Sequence, residues 1–162
     1  MPARPILSYP DPRLRQPATP VTAFDETLQA LAHDLLDTLR QAQALGITAP
    51  HIGVPLQVVV IQLEDEASAR FYVNPRIVDV SAETSRHQEG SVSMPGMLET
   101  LERPAQVRVA YQDLQGVSHT ENADGLLAVC HQHEIDQLAG IFWIDRLSRL
   151  KRDRLLKRWS RS

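Results

Sequence analysis

The sequence predicts an α+β fold rather than an alternating βαβ fold. Three observations carry this reading: a proline-rich opening, segments whose apolar residues recur at helical spacing, and a run of short β-rich stretches uninterrupted by helix. At 162 residues, 43% hydrophobic and 23% charged, the chain suits one domain spanning residues 1–162, with enough apolar material for a core.

Residues 1–20 hold six of the eleven prolines. Proline fixes φ and removes a backbone donor, so this stretch is expected as an extended arm, not a helix. Leu28, Leu31, Ala32, Leu35, Leu36 and Leu39 are spaced by three and four. That stripe predicts a helix from about Asp25 to Ala44, with Gly46 suited to its C-terminal cap. From Gly53 to about Tyr111 the pattern turns β-rich. Gln57–Leu63 reads as a strand, Phe71–Val73 as a shorter one, and Val107, Val109 and Tyr111 as a strand with one wet face. Asp113–Gly116 reads as a hairpin turn. A second helix is expected from near Ala123 to near Gly140, and a last, basic one from roughly Arg146 to Trp159.

Composition removes several classes of function. The longest apolar run, Leu126–Cys130, is five residues, whereas a membrane helix needs about 20. The opening residues lack the continuous apolar segment of a secretory signal. The single cysteine, Cys130, excludes an internal disulfide framework and a cysteine-rich zinc module. A cytoplasmic protein without membrane partners is the expectation. The net charge of −3 hides a division: from Arg146 onward there are eight basic residues and one acid, against nine basic and 19 acidic before it. Residues 146–162 are therefore expected to form a basic helix and tail with their own partner.

The second helix carries the chemistry. Leu126, Cys130, His133 and Gln137 share one face, and Leu127, His131, Glu134 and Leu138 form the adjoining stripe. Polar His133, Glu134 and Gln137 thus continue an apolar face, and burying them is costly unless they are paired or coordinate a ligand. In His-Glu-x-x-His, a helix presents two imidazoles to one Zn²⁺ and the glutamate deprotonates its bound water. Here the first His and the Glu stand, but Gln137 occupies the second His position.

The wider segment Gln132-His-Glu-Ile-Asp-Gln-Leu-Ala-Gly140 resembles the third signature of the peptide deformylases, Gln-His-Glu-x-Asp-His-Leu-x-Gly. Gln88-Glu-Gly-Ser-Val-Ser-Met-Pro95 resembles their second, Glu-Gly-Cys-Leu-Ser, and Gly46-Ile-Thr-Ala-Pro-His-Ile-Gly53 their first, Gly-Leu-Ala-Ala-x-Gln. Pro10-Asp-Pro-Arg-Leu-Arg15 and Asn74-Pro75 also match in type and order, so the resemblance runs from about Pro5 to Arg158. It implies the deformylase fold, with β-strands around a buried motif helix. It also implies an enzyme that removes formyl from N-terminal formylmethionine, with Fe²⁺ or Zn²⁺ held by one Cys and two His. The motif Glu is its general acid and base, and the Gln of the first signature stabilises the tetrahedral intermediate.

Carried over by position, Glu134 takes the acid/base place and His133 the first His ligand. Ser91 replaces the Cys ligand, Gln137 the second His ligand, and His51 the oxyanion Gln. Gly46, Glu89 and Gly90 fall in the pocket loops, Glu89 as a brace. A serine hydroxyl stays protonated near neutral pH and is a poor ligand for these metals, and an amide is a weaker donor than imidazole. Loss of an outer partner of a metal site costs about 10–100-fold, so two lost ligands are expected to cost at least about 10²–10⁴-fold. The resulting expectation is a protein with little or no ordinary deformylase activity and no resident metal, whose cleft binds a peptide or a nascent-chain N-terminus. The alternative is an amide hydrolase with Zn or Fe at a rebuilt site on His133 and His51, with His87 turned the same way.

Other readings stay open at this level. Ser91 as a nucleophile with His133 or His51 as base lacks an orienting acid. Cys130, one turn before His133, cannot replace the lost thiolate by position. Asp136 is either a supporting partner or an exposed helix residue, and Met94, Leu98 and Leu101 either line a pocket or pack in the core. In some members of the family a basic C-terminal helix docks on the ribosome, so Arg149, Lys151, Arg152, Arg154, Lys157 and Arg158 are candidates for RNA contact.

Overall fold

A computed structural model describes residues 3–64 and 67–162. Its elements run α1 (Glu26–Gln41), β1 (Gly46–Thr48), β2 (Val58–Ile61), β3 (Arg70–Val80), β4 (Thr84–Glu89), β5 (Glu99–Pro104), β6 (Gln106–Gln112), β7 (Ser118–Asp124), α2 (Gly125–Leu138) and α3 (Arg149–Trp159). Five strands form an antiparallel sheet in the order β1-β2-β3-β6-β7, and β4 and β5 pair as a separate antiparallel hairpin. The α+β expectation holds.

Strand β2 shows why the core sits where it does. All four of its residues are buried, which is the signature of a strand covered on both faces. Val58 and Val60 pack with Leu28, Leu31, Leu35 and Leu39 of α1. Their neighbours Val59 and Ile61 face the other way, against Cys130 and Leu138 of α2. The sheet is thus sandwiched between the two helices, and α2 is the one that carries the motif.

Helix α1 starts as expected, with the Asp25 carboxylate accepting from the Leu28 N–H at 3.1 Å. Its end corrects the sequence reading. Gln43, not Gly46, adopts the left-handed conformation (φ 55), and the Ala44 and Gln43 N–H groups bond back to the Leu39 and Arg40 carbonyls, a Schellman closure. Gly46 instead opens β1. The short strand read at Phe71–Val73 extends to Val80, because its second half pairs with β6 across register shifts. Asn74, at φ 51, and Pro75 sit at the first shift, where a missing ladder donor is tolerated. Strands β1, β4, β5 and β7 escaped the sequence reading. The last three are largely polar and give no alternating apolar signal.

The arm is not wholly extended: Pro12–Arg15 forms a 3-10 turn, with the Asp11 carboxylate accepting from the Arg13 N–H at 2.9 Å. It stitches the three motif segments together. Leu7 N–H donates to the His51 carbonyl at 2.8 Å, Tyr9 N–H to Ser93 at 2.8 Å, and Ala18 N–H to Leu138 at 2.7 Å. The last helix also begins later than expected. A 3-10 turn at Trp143–Arg146 buries Trp143 and Ile144 before Ser148 caps α3.

Gly140, at φ 81, has no room for a side chain, because a Cβ there would overlap the Arg15 carbonyl oxygen. Gly140→Ala is expected to lower folding stability by about 1–3 kcal/mol and to loosen the arm. Urea denaturation with hydrogen exchange at the Ala18 amide checks this; an unchanged midpoint contradicts it.

Candidate functional site

A cleft of about 790 Å³ opens where the three motif segments meet the arm. Its walls include Ile6, Leu7 and Ser8 of the arm, Ala42–Gly46 after α1, His51, Gln88–Val92, Met94–Leu98, and Leu126, Val129, Cys130, His133 and Glu134 of α2. Of the residues singled out by sequence, Gly46, His51, Glu89, Gly90, Ser91, His133 and Glu134 converge here. Met94 and the exposed Leu98 line it as well, whereas Leu101 packs in the core with Trp143 and Leu155. His87 is half-buried and is not among the lining residues, which removes it from the expected histidine cluster.

Gln137 is also absent from the walls. Its side-chain amide is buried and donates to the Leu14 carbonyl of the arm at 2.7 Å. The residue at the second ligand position therefore ties down the arm and presents nothing to the cleft. Ser91 Oγ accepts from the Ser93 backbone N–H at 3.1 Å, and no hydrogen bond joins it to His133 or His51 among the described residues. The serine-nucleophile arrangement is thus not assembled.

Glu89 is the centre of a buried charge network. Arg103 grips it with two parallel hydrogen bonds, Nε to Oε2 at 2.6 Å and a terminal nitrogen to Oε1 at 2.9 Å. His133 Nδ1 lies 3.0 Å from Glu89 Oε1. Burial opposes the Glu89 charge, but hydrogen bonds from His133 and Arg103 outweigh it and hold its carboxyl below the ordinary value of 4.5. Burial likewise opposes the imidazolium of His133, and the neighbouring carboxylates Glu134 and Glu89 overcome it, so its pKa is raised. Arg103 passes the network on to Asp136 at 3.0 Å, and Arg146 holds Asp136 from the other side at 3.0 and 2.9 Å. Asp136 is therefore a supporting partner. Sequence reading missed Arg103, whose only signal is its place two residues after the buried Leu101 on β5.

Glu134 and His51 differ from this network. Glu134 is buried, its Oε1 has no hydrogen-bond partner among the described residues, and its pKa is raised by burial and by the negative charge of Glu89, against the pull of His133. Gly46 makes room for it: a Cβ there would lie 2.6 Å from Glu134 Oε2. His51 is held by its own turn. Its Nδ1 accepts from the Thr48 backbone N–H at 3.0 Å, with the Thr48 hydroxyl 2.9 Å away. Burial, with His133 adding to it, lowers its pKa to about 3. The ring is neutral, and because Nδ1 is an acceptor its proton sits on Nε2.

This donor set does not fit Fe²⁺ or Zn²⁺. Such sites take three protein donors of thiolate, imidazole or carboxylate type. Here one position is a hydroxyl engaged with backbone, one an amide turned to the arm, and only His133 remains. Among the described residues no group of three or more His, Cys, Asp or Glu is arranged to hold a metal ion. Cys130 reaches the cleft wall, but burial pushes its thiol up to about 12. Also among the described residues, no helix is long and apolar enough to cross a membrane.

Comparison with known proteins bears on the fold and the family. The polypeptide deformylase family model matches residues 3–153. A Brucella melitensis protein named peptide deformylase-like is 60% identical over 99% of this chain and 98% of its own. A peptide deformylase of Afipia carboxidovorans is 42% identical over 100% of this chain and 96% of its own. The crystal structure of a peptide deformylase from Legionella pneumophila superposes with a TM-score of 0.90 at 41% identity, covering 98% of this chain and 96% of that one.

Replacing Arg103 with Leu leaves Glu89 charged and buried without its main partner, and about 3–5 kcal/mol of stability should be lost. The sign of the pH dependence follows from the lowered Glu89 pKa. The stability it supplies is present above its ordinary value of 4.5 and is lost as pH falls below that through the folded value. Denaturation midpoints measured from pH 7 to 3 should therefore fall less steeply in Glu89→Gln than in the parent; parallel curves contradict the assignment.

Proposed function

The chain belongs to the peptide deformylase family, and from that premise we propose that it binds chain N-termini in the cleft without removing formyl groups. The observation that carries this reading is the tie between the Gln137 amide and the Leu14 carbonyl at 2.7 Å. It commits the second ligand position to the arm, leaving His133 without a metal-binding partner one turn away. Without a metal, nothing lowers the pKa of a water enough to make it a nucleophile at neutral pH. Glu134 retains the acid/base position, but in this reading it serves as a hydrogen-bonding group of a binding site. The apolar part of the wall, including Met94, Met97, Leu98 and Val129, suits the side chain of an N-terminal methionine. A cytoplasmic location is part of this proposal.

The competing reading is a hydrolase with a metal on His133 and His51. Its support is that both rings line the cleft and that His51 Nε2 has no hydrogen-bond partner among the described residues. Against it stands the Thr48 N–H on Nδ1, which keeps the proton on the very nitrogen a metal would need. A formylated peptide and a chelator separate the two. We expect no deformylation above background, and peptide affinity unchanged within about twofold by chelator, since no metal lowers the energy of the bound state. Turnover abolished both by chelator and by Glu134→Gln overturns the proposal.

The basic helix α3 extends the reading to a partner. Arg149, Arg154, Lys157 and Arg158 are exposed, while Leu155 anchors the helix in the core. We propose that this face contacts RNA phosphate, as on a ribosome. Binding should then weaken steeply with salt, log K falling by about 0.7–0.9 per phosphate contact for each unit of log salt concentration. Salt-insensitive binding, or binding unchanged when Arg154 and Arg158 are both replaced by Glu, contradicts it.

A further inference from the structure

A strand at the edge of a sheet presents unpaired N–H and C=O groups, and natural edges are blunted by shortness, Lys, Pro or bulges. The five-stranded sheet ends in β1 on one side and β7 on the other. Strand β1 is only three residues long. The separate hairpin carries Arg86 on β4 and Pro104 on β5. Strand β7 has none of these protections. All seven of its residues pair with β6 in one unshifted register, and its sequence, Ser-His-Thr-Glu-Asn-Ala-Asp, holds no Lys, Arg or Pro. Among the described residues no backbone hydrogen bond reaches its outer side, and five of the seven residues are exposed. None of them lines the cleft, so this edge is separate from the site already described.

The side chains indicate which partner fits. His119, Glu121 and Ala123 share the face toward α2, where Glu121 lies 2.6 Å from His131. Asp113, 2.8 Å from His119 Nε2, and the stacked Tyr111 ring hold the His119 imidazole in place. Ser118, Thr120 and Asn122 share the other face. When two copies of this strand meet antiparallel about a twofold axis at Thr120, Thr120 faces Thr120 and Ser118 faces Asn122. Each His119 then faces Glu121 of the second copy. Just beyond the strand, Val117, which is 55% exposed, meets Ala123. Thr–Thr pairs and a basic residue opposite an acidic one are among the cross-strand pairs that stabilise sheets. The neighbouring registers lack this fit. With Glu121 on the axis two carboxylates oppose each other, and with His119 on the axis Glu121 opposes Val117. We propose that β7 is a self-complementary interface on which a second copy of this chain docks antiparallel, Thr120 against Thr120, making one continuous sheet from two. Such a dimer carries two clefts and two basic helices.

Sedimentation of the full-length protein from about 1 μM to about 1 mM should show particles of one chain giving way to particles of two. Thr120→Lys and Thr120→Glu each set like charges across the axis on an exposed side chain. Each should weaken association by about tenfold or more, and mixing the two variants should restore the dimer. The register has its own readout. Facing Cα atoms lie about 4.5–5.5 Å apart, within disulfide reach, so Thr120→Cys should cross-link two chains under mild oxidation. Asn122→Cys should not, because its two copies lie roughly 13 Å apart along the strands. The natural Cys130 is buried and gives no background. A single chain per particle throughout the series overturns the inference. So does a dimer that survives Thr120→Lys, or a cross-link through Asn122→Cys and not through Thr120→Cys.

Discussion

A helix buried around most of its circumference must find a partner for every polar side chain it carries, and α2 buries five: His131, Gln132, His133, Glu134 and Gln137. Four are satisfied by different parts of the chain. His131 Nε2 lies 2.6 Å from Glu121 on β7, and Gln132 donates to the Pro104 carbonyl at the end of β5. His133 reaches Glu89 on β4, and Gln137 reaches Leu14 in the arm. Each bond ties a different segment to the helix, so the polar residues of α2 fix the positions of the hairpin, the sheet edge and the arm. Glu134 Oε1 is the exception among the described residues, and Glu134 lines the cleft beside His133.

This constraint accounts for which motif residues can differ from the family pattern and how. At position 137 an amide finds a backbone carbonyl within reach and becomes a tether. Glu89 has no such freedom. It is buried against Arg103 and His133, and removing either side of that arrangement strands a charge in the interior. The network continues through Asp136 to Arg146, just ahead of α3. The loop geometry around the cleft is thereby held by ion pairs within the chain. Gly46 belongs to the same logic, since Glu134 occupies the space a side chain there would take.

The parts of this organisation legible in the sequence are those written in apolar spacing or in motif order. The leucines of α1 and the mixed stripe of α2 mark both helices within a few residues, and the three motif segments contain Gly46, His51, Glu89, Gly90, Ser91, His133 and Glu134 of the cleft wall. What the sequence hid has physical reasons. Strands β4, β5 and β7 are polar because the charge network and solvent, not an apolar core, occupy much of their surroundings. Gly46 looked like a helix cap because glycine is common there, but Gln43 takes the left-handed turn and Gly46 is a clearance for Glu134. The direction of a side chain is the other hidden quantity. Spacing alone put Gln137 on the inward face without indicating that its partner is the arm, 123 residues away in sequence, and placed His87 near a site whose walls it does not join.

In the proposed function, hydrogen bonds and ion pairs within the chain organise the cleft in place of a metal. Elemental analysis of untagged protein purified without added metal tests it most directly. The account predicts a folded, monodisperse protein with Fe, Zn and Ni each far below one per chain. About one tightly held ion per chain, the stoichiometry of a catalytic site of this type, would contradict it and would require His51 to surrender its Nε2 proton to become a ligand beside His133.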